Sequence, residues 1–157
     1  MSFFTNLRAD RLIAEIKAAD DSDGHKSSLE KLVRLGASAI PRILDALASA
    51  DNRETAGFVA VLTALLDNKS FPAVASGLTQ GNQRTVPGAA TALSNSRNYP
   101  ANLLFGLLDQ PAMPKGTVVG TLTAQKTRLN ARDVLQRAYN QDAAHKAAMF
   151  RIVSEVA

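Results

Sequence analysis

Three prolines, Pro41, Pro72 and Pro100, each follow an apolar residue (Ile40, Phe71, Tyr99) and precede an apolar run, in "AIPRILDAL", "SFPAVASGL" and "NYPANLLFGLL". They are spaced by 31 and then 28 residues, and sixteen residues after each stands a glycine: Gly57, Gly88 and Gly116. A recurrence of this length is the mark of one supersecondary unit repeated, each copy burying its apolar face on the next. The proline-to-glycine half is constant. The other half is 15 residues from Lys26 to Pro41 and from Gly57 to Pro72, but 12 from Gly88 to Pro100. Three missing residues are close to one helical turn, so the third unit can lose a turn and keep its buried face roughly in register.

The repeated unit is helical. Leu12, Ile13 and Ile16, then Leu29, Leu32 and Val33, then Ile43, Leu44 and Leu47, then Leu62, Leu65 and Leu66 recur at helical spacing, and strand-like alternation never persists. Short polar runs ("DDSDG", "DNKS", "SNSRN") separate these segments. The first N–H groups of a helix have no acceptor within the helix, so a proline fits its first turn and marks the start of the second helix of each pair. Ser38, Ser70 and Asn98 are expected as N-caps, and Ile40, Phe71 and Tyr99 as residues that fold back onto the first helix. The glycines fall early in the following helix, where a missing side chain admits close packing.

Helical hairpins of about 30 residues with proline opening the second helix resemble HEAT repeats, in particular the short type found in bacterial and archaeal scaffold proteins and in phycobilisome lyases. The resemblance runs from Asp10 to about Val156 and is strongest in "LVRLGASAIPRILDALASADNRETAGFVAVLTALL". The turn residues Asp51 and Asn52 match the family pattern, whereas the next unit has Asn82 where the ladder would repeat aspartate. The resemblance implies an all-α fold, a right-handed α-α superhelix of about four hairpins with a lone helix at each end. As one domain over 1–157, it places the lone helix at 6–19, hairpins at about 26–50, 53–80, 83–109 and 114–139, and a final helix at 142–156. In that last helix Met149, Ile152, Val153 and Val156 form an apolar stripe, to be buried on the fourth hairpin or used for self-association or for a further repeat of a longer protein.

Composition narrows the chemistry. The chain has 157 residues and no cysteine, which removes disulfides and thiolate metal sites. No apolar stretch approaches the roughly 18 to 20 residues of a membrane span, and "MSFFTNLRAD" lacks the pattern of a secretory signal, so a cytoplasmic location is expected. Phosphate-loop, dinucleotide, nucleophile-elbow and zinc-protease motifs are absent from the sequence. "ADDSDGHKSSLE" imitates a calcium loop through Asp21, Asp23, Gly24 and Glu30, but Ala19 stands at the first ligand position, so a solvated turn is expected, with no metal and no cofactor.

A non-catalytic protein-binding scaffold or adaptor is therefore expected, with Arg42, Arg53 and Arg84 near helix starts and Phe105 and Leu108 as apolar anchors in the nearly uncharged interval 71–114. Two alternatives stand beside it. Residues 115–157 hold seven Lys/Arg against three Asp/Glu, the whole of the net charge of +4 lies there, and Lys126, Arg128, Arg132 and Arg137 are candidate phosphate contacts for a nucleic acid. The resemblance to the lyase type implies a protein that positions a chromophore or other small ligand.

Overall fold

The computed structural model describes residues 3–156; Met1, Ser2 and Ala157, at the ends of the expected 1–157 domain, lie outside the described residues. Among the described residues the chain is all helical, with ten α-helices joined by short turns. It divides into two compact units, Met1–Asn98 and Tyr99–Ala157. The division falls where the proline-to-glycine phase is short, so the expected third pair, 83–109, is shared between the units.

Unit 1 contains α1 (Phe3–Ala18), α2 (Ser22–Leu35), α3 (Ile40–Leu47), α4 (Asn52–Leu65), α5 (Phe71–Ala75) and α6 (Thr85–Asn95). Helices α2, α4 and α6 pack in succession, and so do α1, α3 and α5. Each of α1 and α3 also packs on the helix that follows it. Helix α3 shows why such short helices persist. Its eight residues would be marginal alone. Ile40, Ile43, Leu44 and Leu47 are all buried, and each such side chain contributes roughly 1.5–3 kcal/mol when removed from water. Phe58 and Leu62 of α4, Ile16 of α1 and Leu32 of α2 complete this core.

Polar residues ahead of α2, α4 and α6, namely Asp21, Asp51 and Asn82, recur at intervals of 30 and 31 residues. Asp21 accepts from the Gly24 N–H at the start of α2, and Asp51 accepts from the Glu54 N–H at 2.7 Å while Glu54 accepts from the Asp51 N–H at 3.1 Å. Asn82 takes the corresponding place before α6, accepting from the N–H groups of Arg84 at 2.8 Å and Thr85 at 3.2 Å. The amide oxygen serves the cap as well as a carboxylate does. Because Asp21 caps α2, Ser22, Asp23 and Gly24 are helical, and the stretch that imitates a calcium loop is a helix start. Helix α2 thus begins at Ser22, ahead of the 26 expected.

Pro41 and Pro72 lie in the first turn of α3 and α5. Pro100 instead precedes a turn in which its carbonyl accepts from Leu103 N–H at 3.0 Å, and α7 starts at Leu103. Ile40, Phe71 and Tyr99 are buried as expected. The capping expected of Ser38 and Ser70 is not made: Ser38 Oγ donates to the Leu35 carbonyl and Ser70 Oγ to the Leu65 carbonyl, each tying the second helix to the end of the first. Gly36, at φ +82°, ends α2 with its N–H on the Val33 carbonyl, a conformation that glycine adopts without strain.

Unit 2 contains α7 (Leu103–Leu108), α8 (Lys115–Ala124), α9 (Ala131–Ala138) and α10 (Ala143–Val156). Helix α10 packs on α9 and α8, burying Met149 and Ile152 and half-burying Val153 and Val156. Tyr139 and Phe150 remain 64% and 37% exposed, edge to face at 5.7 Å. Among the described residues no helix is long and apolar enough to cross a membrane.

Candidate functional site

The residues expected to meet a partner are engaged within the chain. Arg42 Nε lies 3.7 Å from Asp10 Oδ1, joining α3 to α1. Arg53 donates to the carbonyls of Ala19 at 3.4 Å and Asp21 at 3.0 Å. Arg84 donates to the carbonyl of Ala50. Ala19 and Ala50 stand 34 residues before Arg53 and Arg84 respectively, so the same staple is made twice, each arginine satisfying a carbonyl in the turn after α1 or α3. Phe105 and Leu108 differ from the exposed anchors expected: they are 4% and 2% exposed. An apolar run with more than one apolar face is here a helix covered on more than one side.

Three of the basic residues named for phosphate contact, Lys126, Arg128 and Arg137, are likewise paired. Lys126 Nζ meets Glu155 Oε2 at 2.6 Å, and this bond holds the Glu155 carboxyl below its usual range. Arg128 gives both terminal nitrogens to the Tyr99 carbonyl, at 2.9 and 2.6 Å, and lies 5.2 Å over the Tyr99 ring. Burial pushes the Tyr99 phenol up to about 12, opposed by the nearby Arg128 charge and by a hydrogen bond from Gln125. Arg137 meets Asp109 at 3.2 Å and covers the Phe105 ring at 5.4 Å. Arg132 is exposed at the start of α9. Three of the four cations proposed for phosphate contact are thus committed to separate internal acceptors.

The less expected feature lies in unit 1. Helices α1 and α2 are antiparallel neighbours joined by a short turn, and Ser28 Oγ donates to Glu15 Oε2 at 3.3 Å, fixing their register. The register sets Arg8 and Arg11 of α1 opposite Lys31 and Arg34 of α2 around an open groove of about 320 Å³, with Leu12 and Leu35 in its floor. Glu15 is the one carboxylate in the lining. It sits 3.5 Å from Arg11, whose side chain is 82% exposed, and a pair so open to water is worth at most about 1 kcal/mol. Four cations therefore face one carboxylate. The groove between α1 and α3 balances Lys17 and Arg42 against Asp10 and Asp45, and the groove between α4 and α6 holds only Arg84, already bonded to Ala50. One helical turn before Arg8 and Arg11 on α1, Phe4 and Leu7 are 72% and 49% exposed.

No linear signal marks this cluster. Residues 1–70 contain nine Lys/Arg and ten Asp/Glu and look balanced along the chain; only the pairing of α1 with α2 separates the signs. Among the described residues no group of three or more His, Asp or Glu is placed to hold a metal ion. No family model matches the chain, and no curated protein or solved structure matches it either.

Proposed function

We propose that the chain is a non-catalytic scaffold built from HEAT-like helical repeats, whose role is to bind another protein. The observation that supports this reading is the recurring helix junction: Asp21 and Asp51 cap α2 and α4, Asn82 accepts from the N–H groups of Arg84 and Thr85 just ahead of and at the start of α6, and Arg53 and Arg84 reach back by the same 34 residues to Ala19 and Ala50. A junction repeated at fixed period stacks like on like, and stacked hairpins serve by presenting side chains along an extended face. The cations of unit 2 lend the nucleic-acid alternative less support, because Lys126, Arg128 and Arg137 are held by Glu155, Tyr99 and Asp109.

The test is affinity capture with the full chain as bait, with crosslinking and mass spectrometry of what is retained. The expected result is a protein enriched over an unrelated bait of equal charge and crosslinked to surface lysines of the chain. Retention of nucleic acid alone, or nothing above the unrelated bait, would overturn the reading.

A further inference from the structure

We propose that the groove between α1 and α2 docks an acidic segment of a partner protein, one that alternates carboxylates with apolar side chains. The inference rests on the protein-binding reading and adds the chemistry of the partner. Arg8, Arg11, Lys31 and Arg34 line both walls, and Glu15 alone opposes them. Such an excess of one sign, exposed and unneutralised, is complementary to a run of carboxylates and steers its approach. Arginine on both walls suits planar bidentate contact with carboxylates.

The floor distinguishes a peptide from a polyanion that is charged throughout. Leu12 and Leu35 are half-buried between the cations, and Phe4 and Leu7 extend the apolar surface one turn toward the N-terminus of α1. A phosphate backbone has nothing to place on these leucines. An amphipathic acidic segment lays its apolar residues on Leu12, Leu35 and Phe4 and its carboxylates on the rim, as helices and extended peptides do in grooves.

The test uses the full chain and a rhodamine-labelled peptide of repeated Glu-Glu-Leu units, followed by fluorescence anisotropy at low salt. Controls are the same peptide with glutamine for glutamate and a labelled single-stranded oligonucleotide of matched length. The acidic peptide binds, the glutamine peptide binds at least tenfold more weakly, and raising salt to about 0.5 M weakens the acidic complex severalfold, because exposed charges are screened. Arg8→Glu with Arg34→Glu weakens acidic binding at least tenfold. Arg132→Glu with Arg151→Glu, the same change in net charge placed in unit 2, alters it less than about twofold. Circular dichroism checks that each variant is folded, and Arg8→Gln with Arg34→Gln replaces the first pair if it is not. No binding of the acidic peptide at low salt, equal loss in both double variants, or tighter oligonucleotide binding that Arg8→Glu with Arg34→Glu abolishes would each overturn the proposal. If a captured protein is retained equally by wild type and by the Arg8 and Arg34 variant, the groove assignment falls while the scaffold reading stands.

Discussion

A Cβ added at Gly77 would lie 2.9 Å from Ala89 Cβ and 2.9 Å from Leu44 Cδ2. The leucine end can rotate, but the alanine methyl moves only with the backbone of α6. Gly77→Ala is therefore expected to destabilise the protein by about 1–3 kcal/mol. At Gly120, inside α8, the same methyl meets nothing within 4 Å, so Gly120→Ala is expected to add about 0.5–1 kcal/mol through helix propensity. Urea denaturation of both variants checks the pair, and a stabilising Gly77→Ala would refute the close approach. The glycines picked out by the repeat behave less uniformly: at Gly57 and Gly88 the nearest atoms are the ends of Leu29 and Leu47, and at Gly116 only His145 Nε2 at 3.6 Å. Tyr99 gives a second prediction at this scale. Its folded phenol is pushed up to about 12 by burial, against about 10 in an unfolded chain. Its contribution to stability is complete below pH 10 and is lost as pH rises from about 10 to about 12, because only the unfolded state releases the proton in that window. The stability difference between wild type and Tyr99→Phe should be flat up to pH 10 and shrink above it, with one tyrosine absent from the tyrosinate absorbance until about pH 12.

Helix α3 separates the signal that starts an element from the force that holds it. Pro41 occupies the first turn, where its missing N–H costs nothing and its fixed φ mainly narrows the unfolded ensemble. Pro41→Ala should therefore cost less than about 1 kcal/mol. Its neighbour Ile40 is fully buried, and Ile40→Ala should cost about 2–5 kcal/mol. Matched urea titrations decide this, and a larger loss at Pro41 than at Ile40 would mean that the proline holds the helix rather than marking it. The same separation explains what was legible in the sequence. Periodic leucines and isoleucines gave the helices of unit 1 because burial on one face imposes the 3.6-residue spacing directly. The prolines marked the starts of α3 and α5 because the constraint is local to the residue. The serines before them carry no such unique signal, since a hydroxyl in a turn bonds equally well to the preceding helix's last carbonyls, as Ser38 and Ser70 do. Arg53 and Arg84 near helix starts looked like free cations because their acceptors, Ala19 and Ala50, are backbone atoms one repeat away, which no side-chain pattern reveals.

At the scale of the molecule, linear charge counting points to residues 115–157, yet three of the candidate cations there are individually paired, and a groove lined by four cations and one carboxylate lies in a stretch whose counts balance. Pairing of elements, which brings Arg8 to Arg34, is information that a window along the chain averages away. The division after Asn98 has a testable consequence. A compact unit holds its own core, so a cut at its boundary keeps that core whole and a cut inside it strands an apolar face. A fragment of residues 1–98 retains α1 to α6 and the buried side chains of α3 with the helices that cover them. It is expected to unfold in one cooperative urea transition with the far-ultraviolet signature of helix. A fragment ending at Thr79 lacks α6, which packs on α3, α4 and α5 and supplies the fully buried Ala89, Ala92 and Leu93. Losing that layer uncovers Leu47 where it meets Gly88 and leaves the Leu44 carbonyl without the Thr85 hydroxyl, so the shorter fragment should show a lower midpoint and a shallower transition, with dye binding to exposed apolar surface. Equal cooperativity in the two fragments would place the boundary of the folding unit before α6, and a non-cooperative 1–98 fragment would mean that unit 1 does not fold on its own.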